Sequence, residues 1–106
     1  MPVRSSDLKF DWDAGKAKKN LAKHGVTFAE ACEPYLDPLV IVIDDESHST
    51  SEDRYIAIGR STKRRVLFVV HARRDGDTIW IISARKANRR EVSDYEDEIK
   101  ERLKNR

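Results

Sequence analysis

Four runs rich in β-branched and aromatic residues, close together between residues 39 and 83, constrain the fold most. They read LVIVI, RYIAIG, RRVLFVVHA and TIWIIS. The last two are separated by RRDGD, and an Asp-Gly pair between two apolar runs is a strong β-hairpin signal. Because such short connections favour antiparallel pairing, we expect one small, mostly antiparallel sheet without parallel strands. Several runs are apolar on both faces, so helices or a partner chain must cover both faces.

Two helical segments are predicted before these strands. The stretch LKFDWD alternates apolar and polar residues, which is typical of a short strand with one buried face. Asp13 can then cap a first helix that ends before Gly25. Thr27 and Glu30 have the spacing of a capping box, so a second helix begins there. Pro34 should kink or end that second helix near its fifth residue.

One further helix is predicted after the strands. Asn88 can cap it, and Glu91 lies three residues further on, as in a capping box. Its apolar stripe would be Val92, Tyr95, Ile99 and Leu103. These elements predict a single α+β domain spanning all 106 residues.

The chain carries few signs of export or membrane insertion. With one cysteine, Cys32, it can form no internal disulfide. No apolar run approaches the ~18 residues of a membrane span, and the first ten residues lack the apolar region of a secretory signal. We therefore expect a soluble, cytoplasmic protein.

The charges are unevenly distributed, although the net charge is only +2. Residues 54–90 contain 11 basic and 2 acidic residues, whereas residues 1–53 contain 6 basic and 11 acidic ones. A basic block of this density predicts an anionic partner. Arg89 and Arg90 support this prediction, because cations are unfavourable at the N-terminal end of a helix.

Three motifs resemble those of the BrnT toxins of type II toxin–antitoxin modules. They are FDWDAGKAKKNLAKHGVTFAEA, DPLVIVIDDESHSTSEDRYIAIGRS and IISARKANRREVSDYE, and their order and spacing make the likeness specific. The resemblance covers the chain from about Phe10 to Tyr95. It implies a RelE-like fold with a small antiparallel sheet, two N-terminal helices and one C-terminal helix.

The same resemblance implies an endoribonuclease that halts translation. Its partner would be a BrnA-like antitoxin with a ribbon-helix-helix DNA-binding domain. The complex would be a heterotetramer that binds its own promoter DNA through the antitoxin. Three features depart from the family pattern: Trp80 stands where an arginine is frequent, Pro34 interrupts the second helix, and residues 1–7 form an extra lead.

RNA cleavage without a metal uses the 2′-hydroxyl of the substrate as nucleophile and needs charge stabilisation at the phosphate. Arginine suits that task, because its planar fork matches phosphate geometry. Arg85, at the exit of the last strand and within the family motif, is the first catalytic candidate. The other catalytic candidates are Arg54, Arg60, His24, Lys23 and Glu52.

Arg54 and Arg60 flank YIAIG and point to the same face of one strand. Each could equally form a salt bridge to the acidic loop. Lys23 and His24 could instead be a simple pair of cations at a helix C-terminus, and Glu52 could pair with Arg54. General RNA contacts are expected from Arg64, Arg65, Lys86, Arg89 and Arg90.

The remaining titratable residues favour structural roles. His71 lies in a strand among apolar residues, and Tyr95 faces the apolar stripe of the last helix. His48 lies in a polar loop, and the three histidines lack the spacing of metal ligands. We therefore predict neither a metal nor another cofactor. A nucleic-acid-binding module without catalysis, and a structural partner whose basic surface receives an acidic antitoxin, are the competing interpretations.

Overall fold

The computed structural model describes residues 8–46 and 53–104. The chain forms β1 (Lys9–Trp12), α1 (Ala14–His24), α2 (Phe28–Ala31), a 3-10 turn (Glu33–Leu36), β2 (Ile41–Asp44), β3 (Arg54–Arg60), β4 (Val66–Arg74), β5 (Thr78–Lys86) and α3 (Arg89–Lys104). The class is α+β, as predicted. The second helical segment is short: α2 is a single turn, and the chain continues as a 3-10 turn that contains Pro34.

The five strands form one mixed sheet in the order β1-β5-β4-β3-β2. The pairs β2–β3, β3–β4 and β4–β5 are antiparallel, as their short connections predict. At the β4–β5 turn Asp75 and Gly76 both have positive φ, 49° and 79°, which matches the twist of a tight hairpin.

The expectation of a sheet without parallel strands is wrong at one edge. β1 pairs with β5 in parallel, with Phe10 opposite Ile79 and Trp12 opposite Ile81. The two helical segments and three further strands separate these partners in the chain, so the short-connection rule does not apply to them.

The core lies on the face of the sheet that α1 and α2 cover. Its buried residues are Val26, Phe28, Ala31, Ala57, Leu67, Val69, Ile79, Ile81 and Ala84. Phe10 and Trp12 pack against this cluster, as the alternation in LKFDWD predicts. We call the opposite face the outer face. It carries Ile58, Phe68 and Arg85, which lie opposite one another across β3, β4 and β5.

Local signals set the helix ends. Asp13 accepts a hydrogen bond from the backbone N–H of Lys16 at 2.8 Å, and Gly25 ends α1 in the left-handed conformation, φ 69°. Asn88 and Glu91 form a reciprocal capping box, with both N–H···O distances 2.8 Å. Among the described residues, no helix has the length and apolar character needed to cross a bilayer.

The α1 helix takes the place of a strand along the second half of β5. β1 pairs with β5 only as far as Ile81. Beyond that point, the side-chain amide of Asn20 donates to the Ala84 carbonyl at 2.8 Å and accepts from the Ala84 N–H at 3.1 Å. Asn20 therefore satisfies the edge of β5 as a neighbouring strand would, and it is buried for that reason.

Candidate functional site

Arg85 is fixed at the end of β5 by three groups. Its guanidinium makes two parallel hydrogen bonds to the Glu91 carboxylate, 2.7 and 2.8 Å long. A third N–H donates to the Lys86 carbonyl at 3.2 Å. The guanidinium also lies over the Phe68 ring, 4.0 Å from the ring centroid. Among the described residues, these bonds use three of the five N–H donors of an arginine, so two remain for a ligand.

Glu91 serves both Arg85 and the start of α3. Glu91 Oε1, one of the two oxygens that accept from Arg85, also accepts a hydrogen bond from the backbone N–H of Asn88. The hydrogen bonds from Arg85 lower the pKa of Glu91 and, reciprocally, raise the pKa of Arg85. Both groups therefore stay charged at neutral pH, and Arg85 is a positioned cation rather than a free surface charge.

Arg60 lies on the same face of the sheet as Arg85. Its partner on β4 is Val66, whereas Arg85 is opposite Phe68, so the two Cα atoms are ~12 Å apart across two strands. The backbone N–H of Arg60 donates to Asp37 at 2.9 Å, and Tyr95 donates to the same oxygen at 2.6 Å. A groove of about 260 Å³ opens beside Arg60 and Asp37.

The Asp37–Tyr95 contact supports a structural role for Tyr95, as its place in the stripe predicts. Tyr95 is 1% exposed. Burial, followed by the hydrogen bond to Asp37, raises the pKa of Tyr95 to about 12. Burial also tends to raise the pKa of Asp37, but the hydrogen bonds that it accepts outweigh this effect and lower it. The pair thus holds α3 against the segment that precedes β2.

A second groove, the α1–β5 groove, runs between α1 and the part of β5 that β1 leaves uncovered. It has a volume of about 210 Å³, and its lining residues are Lys16, Lys19, Asn20, Lys23, His24, Ile82 and Ser83. Ile82 is an extra residue in β5, since Ser83 pairs with Val70 and Ile81 with His71. Ser83 and Arg85 are two residues apart on the same face of β5, ~7 Å between Cα atoms. One lining residue of the groove thus lies two positions from Arg85 on the same strand.

The predicted catalytic residues are only partly brought together. Lys23 and His24 line the α1–β5 groove, and Arg60 shares the outer face with Arg85. Arg54 lies on the same strand and face as Arg60 but at the other end, ~20 Å away at the usual rise of a strand. Glu52 and His48 lie outside the described residues.

The predicted RNA-binding residues separate into two groups. Lys86, Arg89, Arg90 and Arg64 are exposed. Arg65 instead donates two hydrogen bonds to the buried carboxylate of Glu30, one of them 2.7 Å long. It also donates to the Gly25 carbonyl. The Arg65 hydrogen bonds outweigh burial and lower the pKa of Glu30. Sequence reasoning missed this tie, because nothing local pairs residues 30 and 65.

The structure also shows the surroundings of His71 and Trp80. His71 is 3% exposed, and its Nδ1 lies 2.6 Å from the Tyr35 hydroxyl, so it is a satisfied sheet residue as predicted. Trp80, which replaces a frequent arginine, lies with the Arg74 guanidinium over its ring, 4.4 Å from the centroid. A guanidinium from the neighbouring strand therefore occupies the space beside position 80.

The fold and this surface define a small α+β protein with an anchored arginine and a lysine-lined groove on its surface. The family model that describes the BrnT ribonuclease toxin of type II toxin–antitoxin systems matches residues 12–91. The chain therefore belongs to the BrnT family of ribonuclease toxins, as its motifs suggest.

A solved structure agrees with this assignment. The chain is similar to the Brucella abortus ribonuclease toxin BrnT, with 28% sequence identity and a TM-score of 0.61. The match covers 77% of this chain and 99% of the other. No curated protein sequence matches.

Proposed function

We propose that this toxin cleaves RNA at the outer face beside the end of β5, with Arg85 stabilising the negative charge that develops on the phosphate. The observation that carries the proposal is the two-point grip of Glu91 on Arg85 above Phe68. Catalytic stabilisation of this kind requires a donor whose position is fixed before the reaction. Arg85 meets that requirement and retains two N–H donors for the phosphate.

Other residues supply the remaining tasks in this proposal. Lys23 and His24, at the end of the α1–β5 groove, are the candidates for proton transfer, a task worth typically ~10²–10⁴-fold in rate. Arg60 binds a neighbouring phosphate across the outer face. Arg54 is too far from Arg60 to share that phosphate, so we assign it to RNA binding. In this proposal no metal takes part: the substrate 2′-hydroxyl is the nucleophile and Arg85 supplies the charge stabilisation.

The test is single-turnover cleavage at saturating RNA. Arg85→Ala should lower the rate by ~10²–10³-fold, the usual loss when one oxyanion donor is removed. Arg85→Lys should recover little of it, because a point charge cannot be held by Glu91 and also reach the phosphate as a fork does. Full activity of Arg85→Ala at saturating RNA would remove Arg85 from the chemistry, and loss of wild-type activity with a chelator would contradict metal independence.

Arg89 and Arg90 are proposed to act in affinity rather than in chemistry. Both are exposed at the start of α3, where long side chains can follow an RNA backbone. Replacing both with alanine should weaken RNA binding and flatten its salt dependence, and the cleavage rate should recover at high RNA concentration. A rate that stays low at saturating RNA would instead place them in the reaction.

The antitoxin partner is proposed to be BrnA-like, with a ribbon-helix-helix domain that dimerises and brings two toxin copies together. Such a complex would repress its own promoter, and the free toxin would act in the cytoplasm by stopping translation. Family membership supports these assignments, as does the relation to RelE-like folds that the antiparallel strands β2–β5 followed by α3 suggest.

A further inference from the structure

The α1–β5 groove concentrates positive charge that the fold does not use. Lys16, Lys19 and Lys23 are all exposed, and among the described residues none of them has an ion-pair partner. They are spaced three and four residues apart on one side of α1, where like charges destabilise a helix by ~0.2–0.5 kcal/mol per pair. Lys16 also lies in the first turn, at the end of the helix dipole that disfavours cations.

The shape of the groove indicates what the charge is for. The three lysines span ~10 Å along the helix axis at the usual rise per residue. They line one groove with Ile82 and Ser83, in the part of β5 that β1 leaves uncovered, and Ser83 lies two residues before Arg85 on that strand. A row of cations of this length fits consecutive phosphates of an extended strand.

We propose that the α1–β5 groove binds the backbone of single-stranded RNA that flanks the scissile phosphate, through Lys16 and Lys19 in particular. The statement that this RNA flanks the scissile phosphate rests on the proposed cleavage at Arg85. Binding of RNA to the groove does not depend on Arg85. Lys16 and Lys19 have no part in the proposed chemistry, which is assigned to Arg85, Lys23 and His24. An acidic segment of an antitoxin is negatively charged like RNA and could occupy the same groove. The test must therefore distinguish RNA from the antitoxin.

The test uses a short single-stranded RNA with 2′-O-methyl groups, which lacks the nucleophile and cannot be cleaved. Its binding to the full chain is measured by fluorescence anisotropy between about 50 and 200 mM salt. Each phosphate contact contributes about 0.7 to the slope of log K against log salt for a single strand. Lys16→Ala with Lys19→Ala should therefore reduce that slope by about 1.4 and weaken binding most at low salt.

A matched control removes the same charge elsewhere. Lys18 is exposed on α1 but does not line the groove, and Lys100 is exposed on α3. Lys18→Ala with Lys100→Ala should leave the slope near that of the wild type. An unchanged slope in the groove variant, or an equal loss in the control, would overturn the proposal, since the RNA would then respond only to net charge.

Two further measurements separate the alternatives. If the groove variant loses affinity for the purified antitoxin while its RNA slope is unchanged, the groove belongs to the antitoxin and the proposal fails. If Arg85→Ala cleaves normally while the groove variant has a reduced salt dependence of RNA binding, the groove binds RNA and the proposed catalytic role of Arg85 is wrong. If Arg85→Ala loses cleavage while the salt dependence of the groove variant is unchanged, Arg85 keeps its proposed role and the RNA-binding groove is rejected.

Discussion

At the residue scale, Glu91 gives one carboxylate two tasks. It closes the capping box of α3 and holds the fork of Arg85. The orientation of Arg85 is therefore coupled to the position of α3, and a shift of the helix would reorient the arginine. In the proposed reaction Glu91 acts through Arg85 and is therefore a positioning residue.

Glu91→Gln should lower the single-turnover cleavage rate by about tenfold, while RNA affinity changes little. A neutral amide keeps a hydrogen bond to the helix start but cannot accept two charge-assisted bonds from Arg85. Asp94→Asn is the matched control, because Asp94 is an exposed acid near the start of the same helix. Equal rates for the two variants would show that Arg85 keeps its position without Glu91.

His71 is the second residue whose setting has a measurable consequence. It is stacked on Tyr55, with centroids 5.3 Å apart, and lies beside the Tyr35 hydroxyl. Burial, helped by the positive charge of Arg73, lowers the pKa of His71 to about 4. The folded protein thus holds this imidazole neutral, whereas the unfolded chain protonates it near its ordinary pKa of ~6.5.

The free energy of unfolding should fall as the pH falls from about 6.5 to about 4, because the unfolded state binds the extra proton across that window. Between pH 7 and pH 5, His71 alone should account for about 2 kcal/mol. Urea denaturation at several pH values measures this loss, which His71→Gln should remove. A ring titration of His71 by NMR with a midpoint near 6.5 would contradict the account.

At the element scale, Glu30 fastens α2 to the turn between β3 and β4. Its carboxylate accepts from Arg65 and from the Ser61 hydroxyl at 2.8 Å, and it is 4% exposed. Thr27 and Glu30 thus make only half of the predicted capping box: Thr27 accepts from the Glu30 N–H at 3.0 Å, but the Glu30 side chain turns to Arg65.

Arg65→Ala should destabilise the fold by about 3 kcal/mol, because it leaves a buried carboxylate without its cation. Arg64→Ala removes a neighbouring charge that is exposed, so it should change the free energy of unfolding by less than about 0.5 kcal/mol. The urea midpoints of the two variants test this difference. Similar midpoints would mean that Glu30 is adequately solvated without Arg65.

Elements that depend on neighbouring residues were predictable from the sequence, and those that depend on distant residues were not. Asp13, Gly25 and Asn88 mark the helix ends, and Asp75–Gly76 marks a hairpin, because each signal acts within about four residues. The parallel pairing of β1 with β5 has no local signal. Neither has Asn20, whose polar side chain is buried only because Ala84 presents an unpaired strand edge.

The candidate site shows the same division. The motif and the strand end identify Arg85, and the spacing of Asn88 and Glu91 identifies the helix cap. That the same glutamate would hold the arginine depends on the angle between β5 and α3, which no sequence spacing fixes. The sequence places Lys16 and Lys19 on the surface of a helix but does not predict the groove. The groove depends on the end of β1 before Ser83, which has no local signal.

At the scale of the whole molecule, β2 is an edge strand of the sheet that the described residues form. Val42 and Ile43 are each 49% exposed, and Leu103 of α3 is 52% exposed. Arg102, next to Leu103, donates to the Val40 carbonyl at 3.2 Å, which brings the end of α3 to the start of β2. Apolar residues on an unpaired edge strand are a common place for a partner to bind, so we propose that the antitoxin docks here.

Val42→Lys with Ile43→Lys should reduce antitoxin affinity by at least about tenfold without loss of cleavage activity. Leu21→Lys is the matched control, since Leu21 is 46% exposed on α1, away from β2, and should bind as the wild type does. Titration calorimetry with purified antitoxin measures both. Wild-type affinity in the β2 variant would move the interface to another surface.

The parallel partnership of β1 with β5 also orders events in time. Asn20 and Ala84 are 64 residues apart in the chain, and closing such long-range contacts is the slow part of folding. During synthesis β1 lacks its strand partner, and Asn20 lacks Ala84, until β5 has been made; Glu91 follows Arg85. A nascent chain that lacks β5 and Glu91 therefore has neither a finished sheet nor a positioned arginine, so the proposed cleavage site is assembled only after residue 91 has been made.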